Sequence, residues 1–229
     1  MTALSALVPR ADFPLLAANP SLHYLDSAAT SQKPRAVLDA LVGFYESANA
    51  NPHRGAYALS AAATDAYHSA RATIARFLGV ADSDCLIFTR GTTESVNLVA
   101  STWGMTNVRV GDEIVISAIE HHANFVTWQQ LAKRTGATLR IVELTANQEI
   151  DLDQLRGIVG AQTRLVAITH VSNAVGAITP LDTVVQIVRA QSNAVLFVDG
   201  AQGAPHLPVA FDAMGADFYA FSEIGRAHV

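Results

Sequence analysis

The sequence predicts an α/β fold in which a mostly parallel sheet is flanked by helices. Short, nearly continuous apolar runs alternate with longer helical patterns, and this alternation is typical of βαβ units. Continuous apolar runs also indicate strands that are covered on both faces, as in parallel sheets. Half of the 229 residues are apolar and 15% are charged, which is typical of a packed globular protein.

The predicted strands and helices alternate from about residue 80 onward, after two N-terminal helices. Each predicted strand is a short apolar run, whereas each predicted helix has apolar residues at helical spacing. The predicted helices cover residues 34–47, 57–77, 94–102, 124–135, 151–159 and 181–191. The predicted strands cover residues 85–88, 113–117, 138–142, 164–169, 195–198 and 217–221. We expect the sheet to be incomplete.

The composition excludes several classes of protein. There are 15 basic and 20 acidic residues, and no basic stripe that would bind nucleic acid. The single cysteine, Cys85, excludes an intrachain disulfide and suits a reducing compartment. Residues 1–16 lack the apolar core of a signal peptide, and no apolar run approaches a membrane span. We therefore expect a soluble, cytoplasmic protein with no nucleic-acid or membrane partner.

The segment Arg90-Gly-Thr-Thr-Glu94 lies between a predicted strand and a predicted helix. A glycine turn at a helix N-terminus offers backbone N–H groups to an anion, and Thr92 and Thr93 add hydroxyl donors for a phosphate. The alternative interpretation is that a threonine caps the helix and Glu94 completes a capping box. The segment is not a P-loop, because no Gly-Lys-Ser/Thr follows it.

A pair of histidines, His121 and His122, follows the next strand. An imidazole at this position can lie flat on an aromatic ring and can transfer protons at neutral pH. We do not expect a metal site, because neighbours in an extended segment point to opposite faces and no zinc-like spacing of ligands occurs. The alternative, a surface or packing role, suits His122 better than His121.

Asp199 ends an apolar run at the edge where open α/β sheets bind ligands. A buried carboxylate there requires a cationic partner, and a protonated pyridine nitrogen is such a partner. With the polar residues upstream, this indicates pyridoxal 5′-phosphate (PLP), whose ring the aspartate would make an electron sink. Gln202 and Asn173 have amides that would reach the 3′-oxygen of that ring. The alternative is that Asp199 and Asn173 only form turns.

Several motifs, in this order, resemble those of the class V family of fold-type-I PLP enzymes, and within it the SufS-like cysteine desulfurases. The resemblance covers roughly residues 20 to 222. The matching segments are Tyr24-Leu-Asp-Ser-Ala-Ala29, His53-Arg-Gly55 with Leu59-Ser60, Arg90-Gly-Thr-Thr-Glu94, Glu120-His-His-Ala-Asn124, Thr169-His-Val-Ser-Asn173, Val198-Asp-Gly-Ala-Gln202 and Asp217-Phe-Tyr-Ala-Phe-Ser222.

The resemblance implies which residues bind the phosphate of the cofactor and which residue stacks on the face of its ring. Thr92 and Thr93 bind the phosphate, and Ser222 gives a further phosphate contact. His121 stacks on the pyridine ring and is the catalytic residue that the chain retains.

It also implies roles around the rest of the ring. Asp199 pairs with the ring nitrogen, Gln202 bonds the 3′-oxygen, and Asn173 lies beside that oxygen. His53 borders the substrate pocket.

The resemblance further implies an activity, partners and a domain organisation. Members convert L-cysteine to L-alanine and leave the sulfur as a persulfide on an active-site cysteine. The sulfur passes to a SufE-like acceptor or an iron–sulfur scaffold, and the enzymes are homodimers. By this resemblance, residues 1–55 are an N-terminal segment that contributes to a small domain and to the edge of the active site. Residues 56–222 are an incomplete PLP-binding large domain of the fold-type-I transferases.

The sequence departs from the family pattern after Ser222. The family continues Gly-His-Lys, with the Schiff-base lysine, whereas this chain continues Glu223-Ile-Gly-Arg-Ala-His-Val229. We expect 223–229 to be a non-native tail, because it resembles translated sequencing-adapter nucleotides, and the chain to be truncated. Lys33 and Lys133 match no motif, and the persulfide cysteine and the substrate-binding arginine belong further on. Cys85 is predicted to be a small core residue in its strand. We therefore expect the chain as written to be inactive.

Two alternatives remain open, and a third is disfavoured. Another class V enzyme, such as a selenocysteine lyase or an aminotransferase, would share these motifs. A non-catalytic remnant of the fold would also share them. A Rossmann dehydrogenase is disfavoured, because no Gly-x-Gly-x-x-Gly follows an early strand.

Overall fold

A computed structural model describes residues 9–53 and 55–222. The chain divides into two compact units, and the division falls between Ile74 and Ala75. The predicted boundary between residues 55 and 56 stays a prediction, and the predicted tail, 223–229, lies outside the described residues.

The first unit is helical. It contains α1 (Pro14–Ala18), α2 (Arg35–Ser47) and most of α3 (Ala58–Phe77), whose last turn belongs to the second unit. α2 begins directly after Pro34, which lacks the N–H that a helix interior needs and therefore suits a helix start. The predicted helices 34–47 and 57–77 are confirmed. Of the helices in the described ranges, none combines the length and apolarity that a membrane crossing requires.

The second unit contains a five-stranded, fully parallel sheet. In sequence order the strands are β1 (Glu113–Ser117), β2 (Thr138–Val142), β3 (Thr163–Thr169), β4 (Val195–Asp199) and β5 (Phe218–Ala220). Their order across the sheet is β2-β1-β3-β4-β5. The predicted α/β fold with a mostly parallel sheet is confirmed.

Helical segments precede β1 and connect the strands that follow it. They are α4 (Thr92–Val99), a π-helical segment (Ala100–Gly104), α5 (Met105–Asn107), α6 (His122–Thr135), α7 (Leu152–Ile158), α8 (Leu181–Gln191), α9 (Gly203–His206) and α10 (Phe211–Met214). The predicted helices 94–102, 124–135, 151–159 and 181–191 all correspond to elements of this set.

The sheet has an apolar core on each face. Alternate residues of one strand enter opposite cores, so Val115 joins one cluster while Ile114 and Ile116 join the other. The first cluster includes α8 residues such as Val184, and the second includes Trp128 of α6. Because both faces are covered, the central strands are apolar along their whole length, as the sequence predicted.

The predicted strand 85–88 is wrong. Residues Ser83–Cys85 form a 3-10 turn capped by Asp82, and no strand ladder includes residues 86–88 among the described part of the chain. Cys85 is exposed, so its predicted core position is also wrong, and Ile87 is 67% exposed. An apolar run becomes a strand only when a neighbouring strand pairs with it. None of the five strands of the described sheet pairs with residues 86–88.

Candidate functional site

Several of the predicted site residues follow the carboxyl ends of the parallel strands, which all lie at one edge of the sheet: His121 follows β1, Asn173 follows β3, Asp199 ends β4 and Ser222 follows β5. β1 has β2 on one side and β3 on the other, so the chain direction of the crossovers reverses between β1 and β3. Open α/β sheets bind ligands at such a switch point, outside the carboxyl ends of the strands.

The start of α4 and the segment after β5 meet at this edge. The Oγ1 atom of Thr92 lies 2.8 Å from the Oγ atom of Ser222, and the Thr92 backbone N–H donates to the same oxygen at 3.3 Å. Gly91 precedes them with a φ of 131°, a conformation that favours glycine. Two hydroxyls and a helix N-terminus therefore converge, which is the chemistry of an anion site.

The Glu94 side chain reaches back past the N-cap of α4 to Arg90, and no side chain caps this helix. The Oε2 atom of Glu94 accepts a hydrogen bond of 2.5 Å from the Arg90 backbone N–H, and the two side chains form an ion pair at 3.0 Å. The N-cap residue is Gly91, so the alternative in which a threonine caps the helix is wrong. Thr93 is exposed and lines a groove between α4 and α6.

His121 occupies the N-cap position of α6. Its Nδ1 atom accepts a hydrogen bond of 3.2 Å from the Ala123 backbone N–H. Because Nδ1 accepts, the proton of the neutral imidazole lies on Nε2. The tautomer is assigned from this hydrogen bond.

His122 is the first residue of α6, so the expectation that the two histidines point to opposite faces is wrong. The segment turns into a helix at this point, and both imidazoles line the same groove, whose volume is about 500 Å³. Within residues 9–53 and 55–222, no set of three or more His, Cys, Asp or Glu side chains is arranged to hold a metal ion.

Asp199 is buried at the end of β4, with 3% of its surface exposed. One carboxylate oxygen accepts a hydrogen bond of 2.9 Å from the Ala201 backbone N–H, as in the turn that the alternative interpretation predicted. Burial distinguishes it from a solvated turn residue. Gln202 is also buried and precedes α9.

Sequence reasoning missed the residues that hold the Asp199 turn. The ring of Tyr219 covers Gly200, where an added Cβ would lie 2.0 Å from Cζ of the tyrosine. The Tyr219 hydroxyl lies 3.0 Å from Nδ1 of His170. Burial lowers the pKa of His170, and burial followed by the charge of Asp199 raises the pKa of Tyr219. Both residues lie inside motifs used for the resemblance, but nothing in the sequence pairs them.

Glu120 was also missed. Its carboxyl group accepts hydrogen bonds from the Ser117 hydroxyl at 2.5 Å, the Asn124 amide at 2.6 Å and the Thr169 backbone N–H at 2.8 Å. The pKa of Glu120 is raised to about 8, chiefly by desolvation and to a smaller extent by the nearby charge of Asp199, while the three hydrogen bonds oppose the rise. The available sequence signal was an acid directly before the predicted histidine.

Two predicted residues lie apart from these contacts. Asn173 is exposed in the turn after β3. His53 belongs to the first unit, where its backbone N–H donates to Oγ1 of Thr64 at 2.8 Å and its ring contacts Tyr67 and His68 edge-on at 5.2 Å. Their roles stay predictions.

Known proteins resemble this chain along most of its length. The chain is 47% identical over 214 residues to a probable cysteine desulfurase of Staphylococcus aureus, covering 92% of this chain and 52% of that protein. It is 43% identical over 216 residues to a probable cysteine desulfurase of Synechocystis, covering 93% of this chain and 51% of that protein. The chain thus spans about half the length of these curated relatives.

Solved structures agree with this likeness. The crystal structure of the cysteine desulfurase CsdA from Escherichia coli matches with a TM-score of 0.83 and 39% identity, over 93% of this chain and 53% of that one. A C-DES mutant with glycine covalently linked to its PLP cofactor matches with a TM-score of 0.79 and 28% identity, over 93% and 55%. SspA in complex with cysteine matches with a TM-score of 0.79 and 25% identity, over 88% and 57%.

The matching family model is described as aminotransferase class-V and covers residues 23–223. Its extent includes the whole candidate site. The chain belongs to the aminotransferase class-V family.

Proposed function

We propose that this chain binds pyridoxal 5′-phosphate and carries the side of a cysteine desulfurase site that holds the cofactor ring. The observation that carries the proposal is the buried carboxylate of Asp199 at the carboxyl end of β4. A solved relative with a PLP-linked ligand and curated relatives that are probable cysteine desulfurases support it.

The donor set fits the chemical groups of this cofactor. Asp199 suits a cationic ring nitrogen, because a charge-assisted hydrogen bond from a protonated ring N–H to a carboxylate is strong. Thr92 and Ser222, with the N-terminus of α4, suit a phosphate. These groups are connected through the structure, since Ala220 of β5 pairs with Asp199 and Ser222 follows two residues later.

The set has no amine for the aldehyde of the cofactor. Lys133 lies in the last turn of α6, about 18 Å along the helix from His121. Lys33 belongs to the first unit. We infer that the chain as written holds the cofactor only through non-covalent contacts.

When bound, pyridoxal phosphate supplies an electron sink for bonds at the substrate α-carbon and β-carbon. Asp199 keeps the ring nitrogen protonated. Thr92, Thr93 and Ser222 hold the phosphate. His121 lies against the ring and presents a proton at Nε2.

The remaining polar residues orient the ring and the substrate. Gln202 and Asn173 contact the 3′-oxygen of the ring. His53 borders the substrate pocket.

We further propose L-cysteine as the substrate, in keeping with a solved relative that holds cysteine. In the reaction, a protein thiol takes the sulfur of L-cysteine as a persulfide, and the remaining carbon skeleton leaves as L-alanine. Cys85 does not match the family position for this thiol. A SufE-like acceptor or an iron–sulfur scaffold then takes the sulfur in the cytoplasm, and the whole enzyme works as a homodimer.

Cofactor binding by Asp199→Asn tests the proposal. Asparagine keeps the shape but removes the negative charge, so the affinity for pyridoxal phosphate, measured by equilibrium dialysis, should fall about tenfold or more. Asp153→Asn is the matched control, because Asp153 is exposed on α7. Equal affinity of the Asp199 variant and the unchanged chain would refute the proposal.

A further inference from the structure

We propose that Glu120 is a positioning residue for His121, and that it acts by joining β1, α6 and β3 through one carboxyl group. The inference rests on the proposed function, because it concerns the face of the cofactor site that His121 forms. It adds a residue to which nothing above assigns a part in that function.

The contacts of Glu120 span the switch point of the sheet. Ser117 is the last residue of β1, Asn124 lies in the first turn of α6, and Thr169 is the last residue of β3. All three residues are buried. A single side chain therefore connects the end of β1 with the end of the neighbouring strand β3 and with α6, the helix that follows β1.

The orientation of the Asn124 amide is fixed independently of Glu120. The Trp128 indole N–H donates to Oδ1 of Asn124 at 2.7 Å, and an indole has no acceptor. The Asn124 NH₂ group must therefore face Glu120. Oε2 of Glu120 accepts from this amide, while Oε1 accepts from Thr169 and Ser117. Asn124 and Thr169 thus each direct a donor at a different oxygen of Glu120.

His121 is coupled to this network through the backbone. It follows Glu120 directly, its carbonyl accepts from the Asn124 and Phe125 N–H groups at 2.8 and 2.9 Å, and its ring caps the same helix turn. Moving Glu120 or Asn124 displaces the turn that sets Nδ1 against the Ala123 N–H. On the other side of Glu120, Thr169 pairs in register with Asp199. The network therefore fixes the imidazole relative to the carboxylate that holds the ring nitrogen.

The exchange of the two polar side chains gives a sharp test. In Glu120→Gln, the NH₂ group of the new glutamine faces the NH₂ group of Asn124. Turning the glutamine amide loses a hydrogen bond with Ser117 or Thr169, and turning the Asn124 amide loses the hydrogen bond from Trp128. The double variant Glu120→Gln/Asn124→Asp restores every hydrogen bond, because the new carboxylate accepts from both the glutamine amide and the indole. Glu149→Gln is the matched control, since Glu149 is exposed.

The first readout needs no cofactor. The ¹⁵N shifts of His121, assigned with His121→Gln, should report the Nε2–H tautomer in the unchanged chain and in Glu149→Gln. Glu120→Gln should shift them towards a mixture of tautomers, and the double variant should restore them. The proposal would be overturned if folded Glu120→Gln kept the tautomer of the unchanged chain. It would also be overturned if the folded double variant did not restore that tautomer. If neither variant folds, Ser117→Ala decides: a shift in the same direction supports it, and an unchanged signal overturns it.

The second readout is the dissociation constant for pyridoxal phosphate. We expect a rise of about tenfold in Glu120→Gln and a return to within about threefold in the double variant. If the unchanged chain binds no cofactor, the proposed function fails, while the tautomer still tests the role of Glu120. Loss of affinity without a change of tautomer would show that Glu120 acts by another route and would overturn the positioning role.

Discussion

The hydroxyl oxygens of Thr92 and Ser222 lie 2.8 Å apart, although 130 residues separate them in the chain. This contact joins the start of α4 to the end of the described sheet. It therefore closes one side of the anion site with a residue from each end of the second unit.

Removing the Ser222 hydroxyl should weaken phosphate binding selectively. We expect Ser222→Ala to lower the affinity for pyridoxal phosphate about tenfold to a hundredfold, which corresponds to one hydrogen bond to a charged group. The affinity for pyridoxal, which lacks the phosphate, should not change. Equilibrium dialysis with both compounds measures this, and Ser47→Ala on the exposed side of α2 is the control. An equal loss for both compounds would contradict the assignment.

The protonation of Glu120 should make stability depend on pH. Its pKa is about 8 in the folded chain against an ordinary 4.5. Between these values the folded state holds a proton that the unfolded state has released, so the free energy of unfolding falls as pH rises, by up to about 1.4 kcal/mol per pH unit. Glu120→Gln removes this contribution.

Urea unfolding at pH 5, 6.5 and 8 measures the effect. The deficit in the free energy of unfolding of Glu120→Gln relative to the unchanged chain should shrink as pH rises. The charged group facing Glu120 from another strand is Asp199, which is present in both proteins. Parallel pH profiles for the two proteins would contradict the raised pKa, and Glu149→Gln should follow the unchanged chain.

A methyl group at Gly200 should destabilise the second unit. The added Cβ would overlap the Tyr219 ring, so we expect Gly200→Ala to lower the free energy of unfolding by about 2 kcal/mol. Gly157→Ala is the matched control, because nothing lies within 4 Å of that position in α7. The control should raise stability by about 0.5 kcal/mol through helix propensity. A Gly200 variant as stable as the control would show that Tyr219 does not hold the turn.

The chain as written should not turn over L-cysteine. The proposed cofactor site contains Asp199, Thr92 and Ser222 but no lysine, and Cys85, exposed in a 3-10 turn, does not match the family position of the persulfide cysteine. Incubation with pyridoxal phosphate and L-cysteine, followed by amino-acid analysis, should yield no L-alanine above a protein-free control. Formation of L-alanine and sulfide by the purified chain would contradict this expectation.

The sequence was sufficient to predict strand bounds and strand ends where the local pattern of apolar residues agrees with their burial. The runs 113–117 and 138–142 form strands with the predicted bounds. The first is buried after Glu113, because both faces of the sheet are covered there, whereas the second is an edge strand whose residues are mostly exposed. Asp199 was located by the same logic, since a polar residue that ends such a run falls at the carboxyl edge of the sheet.

The remaining features depend on contacts between distant residues. Residues 86–88 would form a strand only if a neighbouring strand paired with them, and the sequence of a single apolar run does not reveal whether such a neighbour exists. The contact of His170 with Tyr219 and that of Glu120 with Thr169 each join residues 49 positions apart. The direction of His122 depended on where α6 begins, and helix starts are among the least certain features of a sequence pattern.

The burial of Trp128 gives the chain an internal optical reporter. Its ring is fully enclosed and its indole N–H is bonded to Asn124, which in turn contacts Glu120. The other tryptophan, Trp103, lies in the π-helical segment and is only partly covered. We therefore expect the emission of Trp128 to change with the charge state of the Glu120 carboxyl group, so that fluorescence would follow that charge without any label.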